Sequence, residues 1–388
     1  MLSLLMALAA ASAPVESDPY AAPPEGEVAA MVRSAQFGEP GADSTIVAWL
    51  KANPSAPRSD RGRLAHRLCH DLLARNADAP AAEACGAAVE SGADDARAAA
   101  ISAALREDPR IQASGAARVG LTPNGVGSRD ASVTVDGVSA PWLVDTGAEI
   151  SVVSSSLARR IGLHPRPGPV TVQSTTGVAT GEMAIIDRLD IGDAAVENVP
   201  VLVLPDAQLK IGDRPQIQAI LGLPVLVAFG RAAWLDAGAT LALGEAAPTP
   251  PPDAPSLYWN EEGIGLPVST DRGVRGGDLD TGANETSLRA PIHALLSPKI
   301  EASAVYRRGK VGGAGGVVDT NDKVYPEISL NVAGVPMALK NVSLNEAERD
   351  GVARLGADVV ARLSLLDMDF ETMRVAVRPL TGVETPAR

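Results

Sequence analysis

Leu143-Val144-Asp145-Thr146-Gly147-Ala148-Glu149-Ile150-Ser151-Val152-Val153-Ser154 carries an apolar run into an Asp-Thr-Gly-Ala turn and out into a Ser- and Val-rich stretch. The same tetrapeptide, Asp280-Thr281-Gly282-Ala283, recurs 135 residues later. A single Asp-Thr-Gly says little, because all three residues are common in turns. The pair says more, because other landmarks keep step with it. Gly177 and Gly181 bracket a loop and recur at the same offset as Gly312 and Gly316. Leu157 and Ile161 recur as Ile292 and Leu296, each pair in a segment that reads as a short helix. Ala219-Ile220-Leu221-Gly222 is answered by Ala353-Arg354-Leu355-Gly356, while Val196-Glu197-Asn198-Val199 meets Leu339-Lys340-Asn341-Val342 only with gaps. Two copies of one unit of ~130 residues, the size of a compact domain, is the simplest reading.

Around the first turn, Ser132-Val133-Thr134-Val135 alternates, Asp136-Gly137 signals a hairpin, and Trp142-Leu143-Val144 returns into Asp145. The second copy runs through Ile264-Gly265-Leu266-Pro267-Val268, turns near Asp271-Arg272-Gly273 and reaches Leu279-Asp280. Residues 183–191, 199–204, 324–332 and 373–377 are short and apolar or alternating, with Gly, Asp and Asn between them. Short strands with frequent turns predict two all-β lobes.

Two such turns set face to face would place two carboxyl groups side by side. Like charges about 3 Å apart cannot both ionise, so the pair shares a proton. One member can then take a proton from water while the other polarises a carbonyl, as peptide hydrolysis requires. The run from Leu143 to Ser154 is similar to that of retropepsin-like aspartic peptidases, which favour Ala after Asp-Thr-Gly. Two motifs in one chain resemble instead the fused arrangement of the pepsins. The resemblance covers roughly residues 118–380. It implies a catalytic dyad of Asp145 and Asp280, with Gly147 and Gly282 donating from the backbone beside them. Thr146 and Thr281 would bond across the axis, and Leu221-Gly222 and Leu355-Gly356 would support the loops from beneath. Ala148 and Ala283 would withhold an outer hydroxyl from each carboxylate, which predicts a weakly acidic pH optimum.

The second copy departs from the first. Asn284-Glu285-Thr286-Ser287-Leu288 follows its turn and polar Gly277-Asp278 precedes it. Asp278 is either a third carboxylate near the dyad or a residue on the solvent face of its strand. Resemblance also implies a hairpin that closes over substrate, and two segments qualify. Val172 to Met183 holds Thr176, Gly177 and Gly181, whereas Tyr306 to Val318 is rich in glycine, with Gly312, Gly313 and Gly316. A Gly-rich loop can approach a peptide backbone closely, but the sequence does not choose between the two.

Composition narrows the remainder. A length of 388 residues allows two or three domains. A formal charge of −13 argues against nucleic acid and anionic membranes as partners. Only 3% of residues are aromatic, and the abundance of Ala, Gly and Pro reads as the bias of a GC-rich bacterial genome. Residues 1–13 are apolar and end in Ala11-Ser12-Ala13, which predicts a secretory signal, although a basic n-region is missing. No other stretch reaches the ~20 apolar residues of a spanning helix.

Residues 14–27 read as a linker. From 28 to 112, apolar spacings of three and four, broken at Asn53-Pro54, Ala79-Pro80 and Asp108-Pro109, predict a small helical domain. It is an interaction module, a propeptide that shields the cleft, or an appendage. Cys69 and Cys85 fall on adjacent helices of this domain. They pair as a disulfide in an exported protein and stay two buried thiols in a cytosolic one. His66 and His70 stand one helical turn apart; a metal would need further ligands and none is specified, so no metal is expected. The only other histidines are His164 and His293, and no His-Glu-x-x-His, phosphate loop or dinucleotide fingerprint is present.

The expectation is a mainly β chain with two homologous lobes, 113–245 and 257–388, joined by Pro-rich residues 246–256 and separated by a cleft. The expected function is an aspartic endopeptidase, periplasmic or secreted, monomeric, acting on peptide or protein substrates without a cofactor, and neither binding nucleic acid nor inserting in membranes. The alternatives are a non-catalytic peptide-binding or scaffold protein of the same fold, and lobes that pair with those of another chain.

Overall fold

Apolar residues spaced by three and four fold the front of the chain into five helices: α1 (Glu27–Gln36), α2 (Ala42–Ala52), α3 (Arg58–Ala74), α4 (Asp78–Glu90) and α5 (Ala96–Leu105). Their inner faces share one cluster that includes Val32, Ile46, Leu64, Leu68 and Ala81. Cys69 of α3 and Cys85 of α4 form a disulfide within it, with Cα atoms 4.7 Å apart. The structure is a computed structural model. It describes residues 18–380 except 22–24, 94, 175, 246–247, 249, 262, 314–315 and 350. The signal expected at 1–13 lies outside the described residues, as do residues 14–17 of the linker.

The described part of that linker is anchored. Tyr20 packs edge-on against Tyr258 at 5.8 Å, and its hydroxyl donates to the Ser256 carbonyl at 2.5 Å. Asp18 accepts from the Gly276 N–H at 2.9 Å. An aromatic ring finds a partner here, 238 residues along the chain, that no local pattern could announce.

The first lobe comprises β1 (Gln112–Ser114), β2 (Ala117–Gly120), β3 (Thr122–Pro123), β4 (Arg129–Val135), β5 (Val138–Asp145), β6 (Ser151–Ser154), α6 (Ser155–Arg160), β7 (Pro169–Ser174), β8 (Gly177–Ile191), β9 (Ala194–Leu204), β10 (Ala219–Gly222), α7 (Leu223–Ala228), β11 (Arg231–Leu235) and β12 (Thr240–Leu243). The second comprises β13 (Tyr258–Trp259), β14 (Ile264–Thr270), β15 (Gly273–Leu279), β16 (Ser287–Arg289), α8 (Pro298–Glu301), β17 (Val305–Gly313), β18 (Gly316–Val332), β19 (Val335–Asn345), β20 (Ala353–Leu355), α9 (Ala357–Val360), β21 (Leu363–Asp369) and β22 (Arg374–Pro379).

Each lobe closes on itself. The order β4-β5-β10-β6-β9-β8 returns to β4, and β14-β15-β20-β16-β19-β18 returns to β14. Closure leaves no edge within either ring of strands. β10 lies parallel to β5 and antiparallel to β6, buried along its whole length, which is why Ala219 to Leu221 are apolar without alternation. The β4–β5 hairpin turns on Asp136 and Gly137, both at positive φ (47° and 76°), the backbone such a two-residue turn demands.

A further sheet, β2-β12-β11-β21-β22, bridges the lobes. At its centre β11 and β21 run antiparallel, with Ala233 opposite Asp367. The two lobes are therefore joined by hydrogen-bonded strands as well as by the Pro-rich connector.

The structure changes the register of the repeat. Ser174 pairs with Gly177 across the turn of the first hairpin, and Gly313 pairs with Gly316 across the second. Gly177 thus corresponds to Gly316, not to Gly312, because the hairpins differ in length. Asn198 and Asn341 do correspond: both take left-handed φ (58° and 54°) and interrupt the pairing of β9 with β8 and of β19 with β18 without shifting its register. After the second turn the expected short helix is a 3₁₀ helix, Ala290–Leu295, with Pro291 in its first turn.

Candidate active site

Asp145 ends β5 and Asp280 follows β15, so each carboxyl projects from the end of a barrel strand into a tight turn. β10 runs beneath the first turn, with Gly222 in register with Asp145. β20 runs beneath the second, where the Leu355 carbonyl accepts from the Asp280 N–H at 2.9 Å. A Cβ on Gly222 would lie 2.8 Å from the Ala148 carbonyl, and one on Gly356 2.6 Å from the Glu285 backbone. Neither position has room for a side chain. Both glycines are held from above by a hydroxyl: Ser151 Oγ accepts from the Gly222 N–H and Thr286 Oγ1 from the Gly356 N–H, each at 3.1 Å. Ser151 and Thr286 were missed at the level of sequence, though the signal is there. Each is a hydroxyl residue six positions after its aspartate.

The two turns meet. The Thr146 N–H donates to Thr281 Oγ1 and the Thr281 N–H to Thr146 Oγ1, both at 3.1 Å. The hydroxyls in turn donate to the carbonyls of Leu279 and Val144, at 2.7 and 2.9 Å. The Gly147 N–H reaches Asp145 Oδ1 and the Ala283 N–H reaches Asp280 Oδ1, each at 2.9 Å. A Cβ on Gly282 would fall 2.4 Å from Asp145 Cγ, and one on Gly147 2.7 Å from Asp280 Cγ. Each glycine is the surface against which the opposite carboxyl rests.

Burial and then the facing Asp280 carboxylate raise Asp145 well above the ordinary carboxylate range, against N–H donors from Gly147 and Gly282 that favour its charged form. The surroundings of the two aspartates differ. Arg354 Nε lies 3.7 Å from Asp280 Oδ2. The repeat places apolar Ile220 at the corresponding point of the first lobe. Arg354 also lies 3.9 Å from Glu348, which pairs with Arg289 at 2.7 Å, and Arg289 pairs with Asp278. Asp278 is therefore neither a third member of the dyad nor on the solvent face. It is 8% exposed and also accepts from Tyr258 and Asn260, at 3.2 and 2.5 Å. A buried carboxylate needs such partners.

Both candidate hairpins exist. The β7–β8 hairpin carries Thr176 and Gly177 at its turn. Gly181 lies farther back, where a Cβ would meet the Val203 carbonyl at 2.4 Å. Val170 and Ala179 of this hairpin share a buried cluster with Ile101 and Leu105 of α5. The β17–β18 hairpin carries Gly312, Gly313 and Gly316 near its tip and reaches the other lobe. A Cβ on Gly312 would lie 2.3 Å from Ile211 Cγ2, and the one on Gly212 3.6 Å from Val317. The helical domain holds the shoulders of the first turn: Arg97 pairs with Glu149 at 3.3 Å, and Asn76 donates to the Pro224 carbonyl at 3.1 Å.

Residues 131–225 match a family model described as aspartyl protease. That span is about a quarter of the chain and runs from β4 into α7, including Asp145, Ser151 and Gly222. No curated protein matches the sequence. Among solved structures, the crystal structure of basic 7S globulin from soybean is similar at 14% identity and a TM-score of 0.48, covering 68% of this chain and 94% of that chain. By its sequence, the segment that builds the first Asp-Thr-Gly turn is thus similar to the aspartyl proteases.

Proposed function

We propose that the protein is an aspartic endopeptidase in which Asp145 and Asp280 act as one acid–base pair on water. The observation that carries this reading is the reciprocal pairing of two Asp-Thr-Gly turns within a single chain, each glycine resting on the opposite carboxyl. The cation beside Asp280 favours one division of roles. Asp145, raised by burial and by the facing carboxylate, holds the shared proton and donates it to the oxygen of the scissile carbonyl. Asp280, beside Arg354, is the carboxylate that takes a proton from water as its oxygen attacks the carbonyl carbon. The tetrahedral intermediate collapses when a proton reaches the leaving nitrogen, which restores the pair.

In this reading the β17–β18 hairpin is the flap, because its Gly-rich tip already spans the two lobes. The helical domain buttresses the first catalytic turn through Glu149 and Pro224. One chain supplies both aspartates, so a monomer suffices. The Cys69–Cys85 disulfide favours an oxidising compartment and hence export.

Cleavage of a mixed peptide library between pH 3 and pH 7 tests the reading, run beside Asp145→Asn and Asp280→Asn. Discrete cleavage lost in both variants is the expected result. A folded protein that binds peptides without cutting them at any pH would overturn it in favour of a binding function.

A further inference from the structure

Away from the dyad, α3 and α5 bring together a cluster that the proposed chemistry does not use. His66 and His70 lie one turn apart on α3, with ring centres 4.6 Å apart. Asp95, just before α5, is buried and faces both rings. Its Oδ2 lies 2.8 Å from His66 Nδ1 and its Oδ1 lies 3.0 Å from His70 Nε2. The outer nitrogens both turn to Glu261, which precedes β14 in the second lobe. His66 Nε2 meets its carboxylate and His70 Nδ1 its backbone carbonyl, each at 3.1 Å.

Every ring nitrogen therefore faces an oxygen that can only accept. Two arrangements satisfy that requirement. In one, both rings are imidazoliums, two cations among two carboxylates. In the other, the inner nitrogens give their lone pairs to a cation held with Asp95, and the outer N–H groups donate to Glu261. A histidine that ligates a metal characteristically hands its other N–H to a carboxylate or a backbone carbonyl. Here one ring does each. A pair of solvated surface imidazoles would need neither.

We propose that His66 Nδ1, His70 Nε2 and Asp95 form a binding site for a divalent transition ion of the Zn²⁺ class, with Glu261 orienting both rings. Two imidazoles and one carboxylate suit such an ion better than Mg²⁺ or Ca²⁺, which take oxygen ligands. The three ligand atoms lie within 4.8 Å of one another. Ligands on one tetrahedral ion at about 2.0–2.1 Å stand about 3.3 Å apart, so seating the ion takes small rotations of the rings and of Asp95, whose oxygens open from 2.8 and 3.0 Å while the wider spacings close.

Three protein ligands leave a fourth position for water. His70 and Glu261 also line a cavity with Leu73, Ile101 and Leu223, which borders the cluster on that side. The bound ion would tie α3 to α5 and, through Glu261, to the second lobe. Buried Arg67 strengthens the same junction: it pairs with Asp71 at 2.7 Å and reaches the Trp259 and Asn260 carbonyls at 3.4 Å.

The test uses the full chain without an affinity tag, equilibrated with Zn²⁺ and dialysed against metal-free buffer at pH 7.5. The expected result is one Zn²⁺ per chain by elemental analysis and a Tm raised by Zn²⁺. Both are lost in His66→Gln and Asp95→Asn while helical content is retained. Should those variants not fold, Glu261→Gln leaves the three ligands in place and is expected to weaken Zn²⁺ about 10- to 100-fold in chelator competition. The proposal is overturned if the wild-type chain retains no Zn²⁺ and its Tm does not respond, with ¹⁵N histidine resonances showing both rings doubly protonated. Equal Zn²⁺ retention by wild type and variants would overturn it as well.

Discussion

Thr146 and Thr281 are each other's hydrogen-bond partners, the N–H of each donating to the other's Oγ1 at 3.1 Å. Both are buried. Each turn completes the other's hydrogen bonds, which is the physical reason the two copies of the motif must meet face to face. Thr281→Val keeps the volume but leaves the buried Thr146 N–H and Val144 carbonyl unsatisfied. The expected loss is about 2 kcal/mol in urea unfolding, together with loss of peptide cleavage, and Thr281→Ser should restore most of both.

Gly282 touches the opposite aspartate. A methyl group there would stand 2.4 Å from Asp145 Cγ, so Gly282→Ala must push the carboxyl off its position. A displacement of about 1 Å costs on the order of 100-fold in rate. Turnover should fall by that much in a variant whose circular dichroism matches wild type.

Arg354 sets the acid side of the pH profile. Its guanidinium stands 3.7 Å from Asp280 and favours the singly ionised dyad. Arg354→Ile copies the first lobe's Ile220 and removes that charge. The acid limb of kcat/KM should move up by about one pH unit, while Arg354→Lys should move it less. A limb that stays in place with a general loss of rate would leave Arg354 a structural role only.

The stability of the protein should fall as pH rises through the titration of the dyad. Asp145 is raised in the folded state, so the folded chain holds a proton that the unfolded chain has already released. The stabilisation is complete below the ordinary carboxylate range and is lost as pH climbs through the folded value. Asp145→Asn cannot ionise. Its urea midpoint should exceed that of wild type at pH 7, and the gap should close by pH 3.

The Cys69–Cys85 bridge closes a loop of 16 residues between α3 and α4. Cys69→Ser with Cys85→Ser should lower the stability of the helical domain by about 3 kcal/mol. Unfolding with and without reductant checks this: reductant should destabilise wild type and leave the double variant unchanged.

Much of the fold is legible in consecutive residues. Val133 and Val135 alternate with polar neighbours because β4 has one buried face, and Asp136-Gly137 can take the positive φ of its turn. The five helices follow from apolar spacing, and the two Asp-Thr-Gly turns from their repetition. The register between repeats was less legible. Gly177 matches Gly316 only once the hairpins are paired, since insertions in a hairpin change no local pattern.

What the sequence by itself determined is the set of elements, their order, the duplicated turn and the two cysteines on neighbouring helices, because periodicity and turn chemistry act over a few residues. Tertiary structure alone decided who faces whom. It set Arg354 beside Asp280, buried Asp278 against Arg289, docked Tyr20 on Tyr258, and brought Asp95 and Glu261 to His66 and His70. Those partners stand between 11 and 238 positions apart, and charge and shape complementarity at such separations is felt only after the barrels close.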